Sequence, residues 1–153
     1  MLNLIIAIDG YSSTGKGVFA KLISKELGLP YIDSGAIYRA ITLYALNNGL
    51  VNSDGDILEN QLKREIDRGN IQISIEMNNS ASDSILLAGE DVSDRIRKMD
   101  VAKNVSAVSA IPFVRDFVDN VLHNVGKNGC VMDGRDIGTT ILPDAEVIEY
   151  ATS

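Results

Sequence analysis

The 153-residue sequence holds one cysteine, one histidine, three prolines and no tryptophan. A lone Cys130 cannot close an internal disulfide, so a reducing, cytoplasmic setting is expected. Neither a Cys/His metal cluster nor a Ser-His-Asp arrangement is evident. No apolar run approaches the ~20 residues of a membrane-spanning helix, so no membrane association is expected. The first residues lead straight into a strand-like segment with no charged leader or cleavage signal. The sequons Asn78-Asn79-Ser80 and Asn104-Val105-Ser106 are therefore expected to stay unmodified. Positive charge is also scarce: 14 Lys and Arg face 21 Asp and Glu, for a net charge of −7. That argues against a nucleic-acid binder, which needs a basic face. Any phosphate must be held by a few placed cations and by backbone dipoles.

What is present is an ordinary globular composition, 45% hydrophobic and 23% charged, long enough for one domain with a core. One stretch stands out. Gly10, Gly15 and Lys16 have the G-x-x-x-x-G-K spacing of a phosphate-binding loop. The apolar run Leu4-Ile5-Ile6-Ala7-Ile8 precedes it and a helix-like segment follows, which is the strand–loop–helix context such a loop requires. Glycines let successive N–H groups of residues 10–17, among them Ser12, Ser13 and Thr14, turn inward toward an anion. The following helix adds the positive end of its dipole, and Lys16 adds a mobile charge for the outer phosphates. The residue after the lysine is normally Ser or Thr, whose hydroxyl ligates Mg²⁺; here it is Gly17, followed by Val18.

Periodicity places a helix over 16–27, with Phe19, Leu22, Ile23 and Leu27 on one face and Gly28 just past its end. A short strand at Tyr31-Ile32 ends in Asp33-Ser34-Gly35, and a helix follows to about Asn48. Residues 57–68 read as a helix, 71–76 as a half-exposed antiparallel strand, and 85–87 as its return. This α+β piece, at 57–95, reads as an inserted subdomain in a single core spanning 1–153. Helices over 100–110 and 113–125 are split by Pro112. A core strand at Cys130-Val131-Met132 runs into Asp133-Gly134-Arg135-Asp136, and residues 146–150 read as a last strand. Strands alternating with helices predict an α/β fold built on a parallel sheet flanked by helices.

In such sheets, ligands bind at the carboxyl ends of the strands. Three predicted strands end there in chemistry-bearing residues: the phosphate loop, Asp33 to Arg39, and Asp133 to Asp136. Arg39 has two open readings, a bidentate phosphate ligand or a surface arginine paired with a carboxylate. Arg135 and Asp136 read as functional, because a charged pair directly after a buried strand is costly unless it has partners. Asp133 reads either as a carboxylate assisting a metal ion or as a turn residue. Arg115 and His123 read as ordinary helix residues, and Cys130 as a small core residue.

Taken together, these stretches resemble bacterial cytidylate kinases. The resemblance rests on Ile-Asp-Gly…Gly-Lys-Gly (8–17), Asp-Ser-Gly-Ala-Ile-Tyr-Arg (33–39) and Gly-Glu-Asp-Val-Ser (89–93). It also rests on Ser106…Pro112-Phe113-Val114-Arg115, Asp-Gly-Arg-Asp-Ile-Gly-Thr (133–139) and Pro-Asp-Ala (143–145). It implies a nucleoside monophosphate kinase fold, with 57–95 as the CMP-binding insert. It further implies transfer of the γ-phosphoryl group of ATP to CMP or dCMP with Mg²⁺. Lys16, Arg39 and Arg135 would be the catalytic cations. Gly10, Ser12, Ser13, Thr14, Gly15, Lys16 and Gly17 would form the ATP site. Ser34, Arg39, Ser106, Arg115, Arg135 and Asp136 would bind CMP. The metal position is open, with Asp133 as the candidate.

Two departures weigh on this reading. Gly17-Val18 lacks the hydroxyl that the family usually carries directly after Gly-Lys-Gly or in place of its last glycine. The arginine-rich lid and C-terminal helices of the family have no counterpart before Ser153. A binding module with weak or no turnover is therefore the alternative reading. A different small-molecule phosphate-loop kinase is the third. A monomer is expected, with a dimer as the alternative.

Overall fold

The computed structural model describes residues 5–9, 16–76, 84–134 and 146–149. The elements run β1 (Ile5–Asp9), α1 (Lys16–Leu27), β2 (Tyr31–Asp33), α2 (Ser34–Asn47), α3 (Glu59–Asp67), β3 (Ile73–Glu76), β4 (Ser84–Leu87) and β5 (Glu90–Asp91). A 3-10 turn at Arg95–Arg97, α4 (Met99–Ser109), α5 (Pro112–Gly126), β6 (Cys130–Gly134) and β7 (Glu146–Glu149) complete them. The described residues fall into two units.

The first unit takes the described residues of Met1–Ser34, Ile75–Asp83 and Asp119–Ser153. Its frame is a four-stranded sheet in the order β2-β6-β1-β7, parallel throughout. Parallel strands covered on both faces are apolar at successive positions. Accordingly Ala7, Ile8, Cys130, Val131 and Met132 are wholly buried. Burial pushes the Cys130 thiol up to about 12, as fits a small core residue.

Against one face of this sheet lie Ile6, Ile8 and Val131, packed with Ala20, Leu29, Phe19, Ile23, Leu27 and Tyr31. Each fully buried aliphatic side chain in such a cluster contributes roughly 1.5–3 kcal/mol. Leu22, expected on the inner face of α1, is 59% exposed. The reason is angular. At about 100° per residue, Phe19, Ala20, Ile23 and Leu27 share an arc of about 100°, and Leu22 falls about 60° beyond its edge. The helix ends as its sequence predicts. Gly28 adopts φ +66°, and Leu29 N–H donates to the Ser24 carbonyl at 3.1 Å, closing a Schellman turn.

The second unit spans Gly35–Ser74 and Ser84–Val118. α2 buries Ile37, Ala40, Ile41, Leu43 and Ala45, and its buried Thr42 donates to the Tyr38 carbonyl at 2.9 Å. α3 contributes the single fully buried Leu62. The Tyr44 hydroxyl donates to Glu65 Oε1 at 2.8 Å, and Asn70 Nδ2 donates to Oε2 at 2.7 Å. These bonds, Asn70 first, hold the Glu65 carboxyl below its usual range. Desolvation, then the Glu65 bond, raises the Tyr44 hydroxyl.

A three-stranded sheet runs in the order β3-β4-β5, and β4 pairs antiparallel with β5 through Leu86↔Asp91 and Leu87↔Glu90. β3 alternates half-buried and exposed residues, as its sequence pattern predicts. β5 and the 3-10 turn lie in a stretch for which the sequence pattern predicts no element. Val101 and Val108 of α4, with Val114 and Val118 of α5, are wholly buried. Among the described residues, no helix is long and apolar enough to cross a membrane.

Candidate functional site

Strand register decides which side chains meet at the carboxyl end of the parallel sheet. β6 lies between β1 and β2, with Ile8 opposite Asp133 and Asp33 opposite the same Asp133. Side chains at paired positions of a parallel sheet share a face, and alternate residues return to it. Asp33 and Asp133 therefore sit on the face that carries Ile6, Ile8, Tyr31 and Val131, which is the face that packs α1. This brings two carboxylate-bearing positions to the end of the sheet where α1 begins.

The contacts of Asp133 define the centre. It is 7% exposed, and the Tyr31 hydroxyl donates to its Oδ2 at 2.9 Å. A methyl group placed on Gly17, in the first turn of α1, would stand 3.5 Å from Asp133 Oδ2 and 3.8 Å from the Tyr31 hydroxyl. Those distances are ordinary van der Waals contact, so the first turn of α1 faces the Asp133–Tyr31 pair across the width of a methyl group. Lys21, one turn further along α1, has its Nζ 5.6 Å from the centroid of the Tyr31 ring, within cation–π range. The result is a buried carboxylate with a fixed donor beside the N-terminal turn of a helix. Among the described residues, no group of three or more His, Cys, Asp or Glu could hold a metal ion unaided. A cation here would take most of its ligands from a bound anion and water, with Asp133 as a carboxylate partner.

Ser34, the first residue of α2, directly follows Asp33 and is half-buried. Arg39, Ser106 and Arg115 all lie in the second unit, on α2, α4 and α5 respectively. Arg39 is half-buried, whereas Ser106 and Arg115 are exposed. Among the described residues, neither Arg39 nor Arg115 makes an ion pair. The surface-pair reading of Arg39 thus finds no carboxylate partner there. Arg95 does have one: it grips Asp100 through both guanidinium ends, at 2.8 and 2.6 Å. That bidentate pair holds the Asp100 carboxyl down at about 2.

The Gly-Glu-Asp-Val-Ser stretch is tied to β4. Ser93 Oγ accepts from the Ile85 N–H at 3.0 Å, and Asp91 Oδ1 accepts from the Ser93 N–H at 2.9 Å. His123 is exposed on α5. Gly10, Ser12, Ser13, Thr14, Gly15, Arg135 and Asp136 lie outside the described residues, as does the Lys16 side chain. Tyr31 is the site residue the motif search passes over. Its signal is present, since it stands two positions before Asp33 and must share that residue's face.

The family model described as cytidylate kinase matches residues 6–153. A cytidylate kinase of Bacteroides fragilis is 46% identical over 155 residues, covering 100% of this chain and 66% of its own length. One from Bacteroides thetaiotaomicron is 44% identical over the same span, and one from Streptococcus equi subsp. equi is 42% identical over 148 residues, 63% of its length. The chain thus spans 66% of the length of the first two curated relatives. With a match that runs from Ile6 in β1 and takes in β2, β6 and β7, this chain belongs to the cytidylate kinase family.

Proposed function

We propose that this chain serves as a nucleoside monophosphate kinase, passing the γ-phosphoryl group of ATP to CMP or dCMP and giving ADP with CDP or dCDP. The observation that carries the reading is the placement of buried Asp133 against the first turn of α1, directly after the Gly-Lys of the phosphate-loop sequence. Family membership supports it. Gly10, Ser12, Ser13, Thr14, Gly15, Lys16 and Gly17 hold the ATP phosphates through backbone N–H groups, the Lys16 ammonium and the dipole of α1. Arg39 and Arg135, with Ser34, hold the CMP phosphate, and a planar guanidinium suits that bidentate task. Ser106, Arg115 and Asp136 read the cytosine edge.

Cytosine presents an amino donor beside a ring-nitrogen acceptor and a carbonyl. A carboxylate and an arginine complement that edge, and uracil would leave them unpaired at high cost. The segment 57–95 is the CMP-side insert. Mg²⁺ bound with the triphosphate would neutralise charge at the transferring phosphoryl group. The rest is positioning: in-line transfer requires little covalent chemistry from the protein. A cytoplasmic setting fits the buried, unpaired Cys130.

The test is ADP production by the purified chain with ATP and Mg²⁺, comparing CMP, AMP and UMP. CMP-dependent turnover is the expected result. Equal turnover of AMP or UMP would sink the cytosine assignment. CMP and ATP binding without ADP formation would refute turnover by this chain.

A further inference from the structure

Gly17 supplies no hydroxyl where a phosphate loop ordinarily has one, and neither does Val18. The site of the missing group can be located. Its Cβ would sit 3.5 Å from Asp133 Oδ2, so a serine hydroxyl, one bond further on, would come within hydrogen-bonding reach of that carboxylate. Another hydroxyl already stands there. Tyr31 donates to the same Oδ2 at 2.9 Å, and its oxygen is 3.8 Å from where the residue-17 methyl would be. It comes from β2 rather than from the phosphate loop.

We propose that Tyr31 is a positioning residue that holds the Asp133 carboxylate beside the first turn of α1 for binding of metal-complexed nucleotide. The inference rests on the ATP-site reading above.

Three features make Tyr31 suited to the role. Its ring packs into the cluster of Ile6, Ile8 and Val131, which fixes it from below. Lys21 Nζ lies 5.6 Å from the ring centroid and adds a cation–π contact. Its acceptor is 7% exposed, so a donor to Asp133 acts in a poorly solvated place, where charge-assisted hydrogen bonds are strongest.

The test measures binding of ATP to the full chain by calorimetry, once with Mg²⁺ and once with EDTA. It compares the wild type, Tyr31→Phe, Gly17→Ser and the double variant, with thermal melts to confirm folding. Tyr31→Phe keeps the ring and the Lys21 contact and removes only the donor. It is expected to weaken Mg²⁺–ATP binding about tenfold and leave metal-free ATP binding within about twofold. Gly17→Ser is expected to restore most of the loss in the double variant. A merely structural role would lower both affinities together, and that result overturns the proposal. So does an unchanged Mg²⁺–ATP affinity in Tyr31→Phe. So does a double variant that stays weak while Gly17→Ser alone binds like the wild type. If the wild type itself binds no ATP in either condition, the nucleotide reading falls and this inference with it.

Discussion

Two glycines at opposite ends of α1 should respond to alanine with opposite signs. Gly17 lies in the helix with ordinary backbone geometry, and a methyl group there meets Asp133 Oδ2 at 3.5 Å and the Tyr31 hydroxyl at 3.8 Å. Both are contact distances rather than clashes. The gain is the backbone freedom that glycine loses on folding, roughly 0.5–1 kcal/mol in a helix. Gly28 has nothing within 4 Å of its would-be methyl, so sterics with neighbours cost nothing. Its φ of +66° is the cost: an L-residue there loses roughly 1–2 kcal/mol. Urea unfolding of the three proteins measures both differences. Gly17→Ala is expected to raise stability by about 0.5–1 kcal/mol, and Gly28→Ala to lower it by about 1 kcal/mol or more. A Gly17→Ala protein less stable than wild type would refute the packing described for the start of α1. It would mean that the helix closes on Asp133 more tightly than those contact distances allow.

Other outcomes follow from single residues. Leu62 is the one fully buried side chain of α3, and Leu62→Ala should cost about 2–5 kcal/mol; a loss under about 1 kcal/mol in urea melts would show that the site collapses without a cavity. The Cys130 thiol, wholly buried and pushed up to about 12, should react with a disulfide reagent only as fast as the protein opens; prompt reaction in native buffer would contradict the burial. Asp100 is held at about 2 against a reference of 3.8. A carboxyl lowered by folding stabilises above its unfolded value and loses that contribution as pH falls from about 4 to about 2. Asp100→Asn should therefore flatten the acid limb of the melting curve across that interval, and an identical limb would show the exposed pair to be idle. Arg115→Ala should weaken CMP binding by about 2 kcal/mol and ATP binding little, and equal losses would remove Arg115 from the base site.

Much of the architecture was legible because its signals are local. The unbroken apolar run Leu4 to Ile8 marks a doubly covered strand, Gly28 marks a helix end, and the alternation of Ile71 to Glu76 marks a half-exposed strand. Leu22 was misread because three residues along a helix carries a side chain past the edge of a narrow stripe, and only packing shows where that edge lies. β5 escaped because two acidic residues carry no strand pattern, and the pairing of Leu86 with Asp91 is decided across the turn at Ala88 and Gly89. The helix that follows the Gly-Lys of the phosphate-loop sequence was legible too. The Tyr31–Asp133 bond was not, since it joins residues far apart in sequence that meet only when β6 pairs with β2.

The strand order β2-β6-β1-β7 also bears on how the chain folds during synthesis. Among the described residues, β1 and β2 share no ladder; each is paired through β6, which begins at Cys130. A ribosome has thus made most of this chain before either early strand can find its central neighbour. Until then both carry open edges and apolar faces, held only by local contacts with α1. Closing so long a loop makes sheet formation slow, and the waiting intermediate exposes the surfaces on which nascent chains aggregate. The emergence of β6 is therefore the event that commits the first unit to its fold.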